Sequence, residues 1–297
     1  MTAIFEVTGG IGKHIAFTGV LESYKFQNPD EEIIVVCAWP EVFIHNPIVS
    51  RVYVIGNTPY FYRDHIYGKE VKVFAHEPYK QTSHILKEKH LIETWCELIG
   101  VESFNSDPKL YLTQKEQEVT GNILPARTSD KPRLLFQPFG GPGQQHQPAK
   151  YSWARDFHPI VAQHLVNELA NEYDIIHVCY DHHPVLNNCF RFDQTVSKNS
   201  LFGLLQLVEK RLLVDSSLQH AAKALGLKST VQWVVTDPNV FGYDLHDNIG
   251  PKTEYPLGGI NSYLHDYNFV GEIHECPYKD FTEIFDVEKI LNSVRNQ

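Results

Sequence analysis

The segment 212–226, LLVDSSLQHAAKALG, constrains the fold more than any other stretch of this chain. A short aliphatic run, Leu212–Val214, stops at Asp215-Ser216-Ser217, and a stretch rich in Ala and Leu follows. This is the pattern of a buried strand that delivers a small polar turn to a helix N-terminus. Such an end carries unpaired backbone N–H groups and the positive end of the helix dipole. In an α/β sheet it also lies at the carboxyl ends of the strands, where ligands bind. Two readings stay open from these residues: Asp215 or Ser216 caps its helix, or the turn holds an anion such as phosphate.

The chain on either side repeats strand and helix in two runs. In the first, strands are expected at Ile4–Val7, Glu32–Cys37, Arg51–Ile55, Glu70–Phe74 and Lys109–Leu112. Helices are expected over Gly12–Tyr24 and Gln81–Ile99, with a short one at Glu41–His45. The near-continuous β-branched run EIIVVC is what a strand buried on both faces requires. Residues 115–132 are polar, carry two prolines and end in charges, so a linker is expected there. The pattern then restarts with strands at Arg133–Gln137, Asp174–Tyr180, Leu212–Val214 and Thr230–Val235. Helices near Phe157–Asn171, Leu201–Val208 and Phe281–Val294 accompany them. The expected class is α/β, with two doubly wound Rossmann-like domains facing across a cleft. The expected division is 1–120, a linker at 121–132, a second domain at 133–278 and a C-terminal helix at 279–297.

Composition narrows the function. Lys and Arg number 26 against 36 Asp and Glu, a net charge of -10. That balance argues against nonspecific binding to nucleic acid or to an anionic membrane. No apolar run approaches the roughly 20 residues that span a bilayer, and MTAIFEVTGG lacks the basic and apolar regions of a signal peptide. No membrane insertion is therefore expected. The five cysteines are scattered without a C-x-x-C pair, which argues against structural zinc and a disulfide framework, so a cytoplasmic location is expected.

The turn Gly9-Gly10-Ile11-Gly12-Lys13 follows the first strand. A Walker A loop would need glycine at Val7 and Ser or Thr at His14, so that motif is absent. A dinucleotide fingerprint starting at Gly10 and Gly12 meets Ile15 where its third glycine belongs, a partial match. Lys13 is either a ligand-facing cation or an ordinary solvated lysine. Asp181-His182-His183 has the residue types of a metal triad but no second acidic cluster, and His158 and His164 lack zinc-site spacing, so no metal is expected. No G-x-S-x-G elbow is present. The loop 138–150, PFGGPGQQHQPAK, joins a strand to a helix. Gly140 and Gly141 would let its backbone approach a ligand, and Lys150 could neutralise a phosphate.

Together these segments resemble the heptosyltransferase-like glycosyltransferases, family 9, of the GT-B fold. The resemblance is carried by LLVDSSLQHAAKALG with TDPNVFG at Thr236–Gly242. The glycine turn, His45-Asn46-Pro47, and Lys150 with Trp153 add to it. It implies a metal-independent inverting glycosyltransferase that needs no cofactor. A sugar, heptose or a related one, would pass from a nucleoside-diphosphate donor to a saccharide or glycan acceptor, in lipopolysaccharide or glycan biosynthesis. It places Gly140, Gly141, Lys150, Asp215, Ser216, Ser217 and His220 beside the donor, with Lys150 offsetting charge on the leaving phosphate. Gly10, Gly12, Lys13 and His14 fall on the acceptor side. Two positions depart from the family pattern. Ser217 replaces a glycine, and Lys13 stands where the family has its catalytic Asp. Transfer needs a base for the acceptor hydroxyl, so either another residue (Glu6, His14 or Asp64) serves, or the acceptor differs, or transfer is lost. A nucleotide-sugar-binding protein of the same fold and a nucleotide-dependent oxidoreductase are the alternatives.

Overall fold

The computed structural model describes residues 1–104, 107–127, 129–140, 151–193, 196–253, 276 and 278–297. The strands β1 (Thr2–Val7), β2 (Glu32–Cys37), β3 (Arg51–Val54) and β4 (Val71–Phe74) form one sheet in the order β3-β2-β1-β4, with every pairing parallel. A second parallel sheet contains β5 (Arg133–Phe136), β6 (Asp174–Cys179), β7 (Phe190–Asp193), β8 (Lys210–Val214), β9 (Thr230–Gln232) and β10 (Asp247–Ile249). Its order is β10-β9-β8-β5-β6-β7. The helices are α1 (Ile11–Gln27), α2 (Thr82–Ile85), α3 (Leu91–Ile99), α4 (Gln114–Ile123), α5 (Pro159–Leu169), α6 (Lys198–Gln206), α7 (Ser217–Ala224), α8 (Pro238–Phe241) and α9 (Val287–Arg295). The two doubly wound α/β halves expected from the sequence are thus present.

Alternation along the strands explains the layers. On β8, Leu213 faces one apolar cluster while Leu212 and Val214 face the other; on β5, Leu135 parts from Leu134 and Phe136 in the same way. Side chains two apart share a face, so strands covered on both sides are apolar throughout. One cluster lies under α5 and α9. The other joins residues of both halves, from Phe17 and Trp95 to Leu213, Leu218 and Tyr243.

Several elements differ from expectation for local reasons. The stretch Gln81–Ile99 is broken, because Lys87 has φ 57° and His90 starts α3 afresh with a capping box closed by Glu93. Lys109–Leu112 is not a strand: the Lys109 N–H bonds to the Thr18 hydroxyl of α1 (2.7 Å), and the segment pairs with no strand among the described residues. The polar segment expected as a linker begins with α4, started by the capping box of Thr113 and Glu116. There α4 packs on α6, where Gly203 leaves room: a Cβ on it would stand 2.6 Å from the Thr120 Oγ1.

Strand order locates two crevices. β1 lies between β2 and β4, and β5 lies between β6 and β8, so the chain reverses its direction of travel beside each. Ligands in open α/β sheets bind at the carboxyl ends of strands at such reversals. The loops that emerge there are those after β1, β4, β5 and β8.

Candidate functional site

The loops after β1 and β8 meet. Gly10 starts α1 without any side-chain cap, and Ser216 starts α7, its hydroxyl accepting from the Leu218 N–H (3.3 Å). The helix-cap reading of the Asp215 turn is therefore realised by Ser216. The two helix starts are in contact: a Cβ on Gly12 would lie 2.9 Å from His220 Cδ2 and 3.3 Å from Ser217 Cα. Two positive dipole ends converge at this point, an arrangement that favours an anion between or beside them. His220 is buried, and its Nδ1 lies 2.8 Å from the Tyr243 hydroxyl. Burial, with His90 and His246 nearby, lowers its pKa to about 3, so the ring is neutral near pH 7.

His14 has a structural place. Its Nδ1 lies 2.9 Å from the Gly10 carbonyl oxygen, while Nε2 accepts from the Ala38 N–H (3.2 Å) and lies 2.9 Å from Val7 O. The ring is fully buried and ties the end of β1 to the end of β2. Burial lowers its pKa to about 4.

Lys13 points inward. Its ammonium donates to Glu77 Oε2 at 2.6 Å and lies 5.0 Å from the Tyr79 ring centre and 5.2 Å from that of Trp95. The lysine side chain is 5% exposed and that of Glu77 34%, so the carboxylate is the outward member of the pair. Glu77 Oε1 also accepts from the Tyr79 N–H (3.3 Å). Gly9, at φ 92°, runs along the lysine stem, and a Cβ there would press on Lys13 Cδ at 3.3 Å. The Tyr79 hydroxyl is pushed up by burial and by the negative charges of Asp215 and Glu77. That one phenol thus lies within the field of carboxylates from both sheets.

Across the cleft, the loop after β5 is pinched at its neck by buried Asp156, which accepts from the N–H groups of Gly140 and Ser152, both at 2.8 Å. The Arg155 guanidinium lies against Gly140, where a Cβ would fall 2.4 Å from Nε. It is 3.5 Å from Asp156 Oδ1. Burial raises the pKa of Asp215, with the Thr236 side chain and the Arg155 cation pulling it back. Ser216 Oγ also bonds to Gln137 Oε1. Asp237 caps α8 and pairs with Lys87 of the other half at 3.8 Å.

Gly12, Ser217 and His220 are thus brought together, with Gly10 at the start of the same helix as Gly12, while Lys13 turns away to Glu77. Asp215 and Ser216 lie in the loop after β8, and Gly140 in the loop after β5. Gly141 and Lys150 lie outside the described residues. Glu6 is exposed on β1, and Asp64 is exposed and paired with Arg63 at 2.6 Å. Asp181 pairs with Arg191 (3.0 Å), while His183 Nδ1 accepts from the Tyr180 N–H (3.1 Å). Among the described residues, no three His, Cys, Asp or Glu side chains are placed to hold a metal ion, and no helix is long and apolar enough to cross a membrane. Sequence reading missed Glu77, Tyr79, Arg155 and Asp156. Glu77 lies just past β4 and Arg155 in a turn ahead of α5, signals too common to single them out.

No protein-family model matches the chain, and no curated protein matches it by sequence. Solved structures do. Over 99% of its length the chain is similar to the glycosyl transferase family 9 protein of Veillonella parvula, at TM-score 0.70 and 13% identity, covering 96% of that chain. The fold is that of the family 9 glycosyltransferases. The E. coli ADP-heptose lipopolysaccharide heptosyltransferase II gives TM-score 0.63 at 14% identity, over 84% of this chain and 90% of that one. TibC of enterotoxigenic E. coli, an iron-containing dodecameric glycosyltransferase, gives 0.68 at 13% identity, over 99% and 76%. A second TibC structure holds ADP-D-beta-D-heptose.

Proposed function

We propose that this protein is a glycosyltransferase that takes a nucleoside-diphosphate sugar as donor and a saccharide or glycan as acceptor, and that it belongs with the family 9 enzymes. The observation that carries this reading is the meeting of the α1 and α7 N-termini at Gly12, Ser217 and His220. It lies where the chain reverses direction in both sheets. The N–H groups at the start of α7 would face the diphosphate, with Asp215, Ser216, Ser217 and His220 around it. Arg155, Gly140, Gly141 and Lys150 would line the other side. Arg155 adds the positive charge that the sequence reading assigned to Lys150 alone. As the bond from sugar to phosphate breaks, negative charge grows on the leaving diphosphate, where oriented N–H dipoles and a fixed cation stabilise it. The acceptor would lie over residues 1–120, along Gly10 and Gly12. Residues 121–132 would join the halves, 133–278 would hold the donor, and 279–297 would close the chain. Transfer would proceed with inversion, without a metal or a cofactor, in the cytoplasm, and heptose is the sugar favoured by the resemblance.

The test is incubation with ADP-heptose and a panel of other nucleoside-diphosphate sugars, with release of the nucleoside diphosphate followed in time. NMR of any glycoside formed then gives its anomeric configuration. Release with inverted product supports the reading. Nucleotide binding without release for every donor would leave a nucleotide-sugar-binding protein of the same fold.

A further inference from the structure

Glu77 is the group on the first sheet's side of the cleft with the geometry of a proton acceptor. It follows β4, while Lys13 follows β1, so the pair straddles the point where strand order reverses. Lys13 is walled in by Tyr79, Trp95 and the Gly9 backbone and cannot meet an incoming acceptor. What it does is hold a carboxylate in place: one Glu77 oxygen takes the ammonium and the other the Tyr79 N–H. A third of the side chain remains exposed. The adjoining Tyr79 lies within the field of Asp215 as well as of Glu77.

We propose that Glu77 is the general base of the transfer and that Lys13 positions it. The inference rests on the transferase reading above. In the step, the acceptor hydroxyl gives its proton to Glu77, and its oxygen forms the new bond to the anomeric carbon. The bond from that carbon to the phosphate oxygen breaks, and its electron pair leaves on the nucleoside diphosphate. Glu77 then returns the proton to solvent, with no oxidant or reductant involved.

A purely structural role is the competing reading, since Glu77 also neutralises Lys13 and caps the turn 78–80. The variants Glu77→Gln and Lys13→Met/Glu77→Gln separate the two. The double variant removes the buried charge together with its partner, so a structural defect is relieved while a missing base is not. ADP release from ADP-heptose is measured with water and then with saccharides as acceptor, and ADP binding is measured by titration. If Glu77 is the base, both variants lose about 100-fold or more in kcat and bind ADP within threefold of the parent protein. Recovery of kcat in the double variant, or a near-parental rate in Glu77→Gln, would overturn the base and leave the transferase reading standing. A parent protein that binds ADP yet releases none from any sugar donor would overturn both.

Discussion

Gly12 of α1 lies directly against His220 of α7, so close that one added carbon on the glycine would stand 2.9 Å from the imidazole. This contact joins the carboxyl ends of β1 and β8, one from each sheet. The ring cannot turn away freely, because its other side is bonded to Tyr243.

Gly12→Ala should therefore loosen the contact between the halves. Helix propensity alone would favour the alanine by about 1 kcal/mol, whereas overpacking costs about 1–3 kcal/mol. The clash should win, lowering the thermal midpoint by a few degrees. Gly121→Ala is the contrast: it lies within α4 with nothing inside 4 Å of its added Cβ, and it should raise the midpoint. Equal shifts in the two variants would contradict the contact.

Asp156 is the clamp on the loop after β5. Asp156→Ala leaves the buried N–H groups of Gly140 and Ser152 without their acceptor, a loss of about 3 kcal/mol. Denaturant unfolding measures it. Donor affinity should fall in step, because Arg155 and Gly140 lose their register. Unchanged stability would show that the loop neck is held by something else.

Acid should unfold this protein early. Burial lowers His14, His84 and His246 to about 4, and His177 and His220 to about 3. In the unfolded chain a histidine titrates near 6.5, so below that pH the unfolded state binds more protons and folding stability falls. The loss begins as pH drops through about 6.5 and ends only near the folded values. At pH 5 each such group costs about 2 kcal/mol, several kcal/mol in sum. Thermal melts from pH 7 to 5 should show a steep fall, and a flat profile would contradict the neutral buried rings.

The sheets, the two-part winding and the Asp215 turn were legible in the sequence, because strands covered on both faces must be apolar throughout. β7, β10 and α4 were not: FRFD and DNI are short and half polar, and α4 is held by packing on α6 through Gly203. The turn proposed for the donor was legible as a turn because a strand, a polar loop and a helix are contiguous at 212–226. The Lys13–Glu77 pair was not, since its members are 64 residues apart and only strand order brings them together. His14 illustrates the opposite case. A histidine beside a glycine turn reads as a site residue, yet backbone partners occupy both its ring nitrogens.

The most direct measurement is titration of ADP into the parent protein and into Arg155→Met. Bonds from a charged donor are worth about 1.5–3 kcal/mol, and each 1.4 kcal/mol is tenfold in affinity. We expect ADP to bind the parent protein, adenosine to bind far more weakly, and Arg155→Met to lose about tenfold or more of the ADP affinity while keeping its thermal midpoint. Equal affinities for ADP and adenosine, or no binding of ADP at all, would contradict a diphosphate held where α1 and α7 meet.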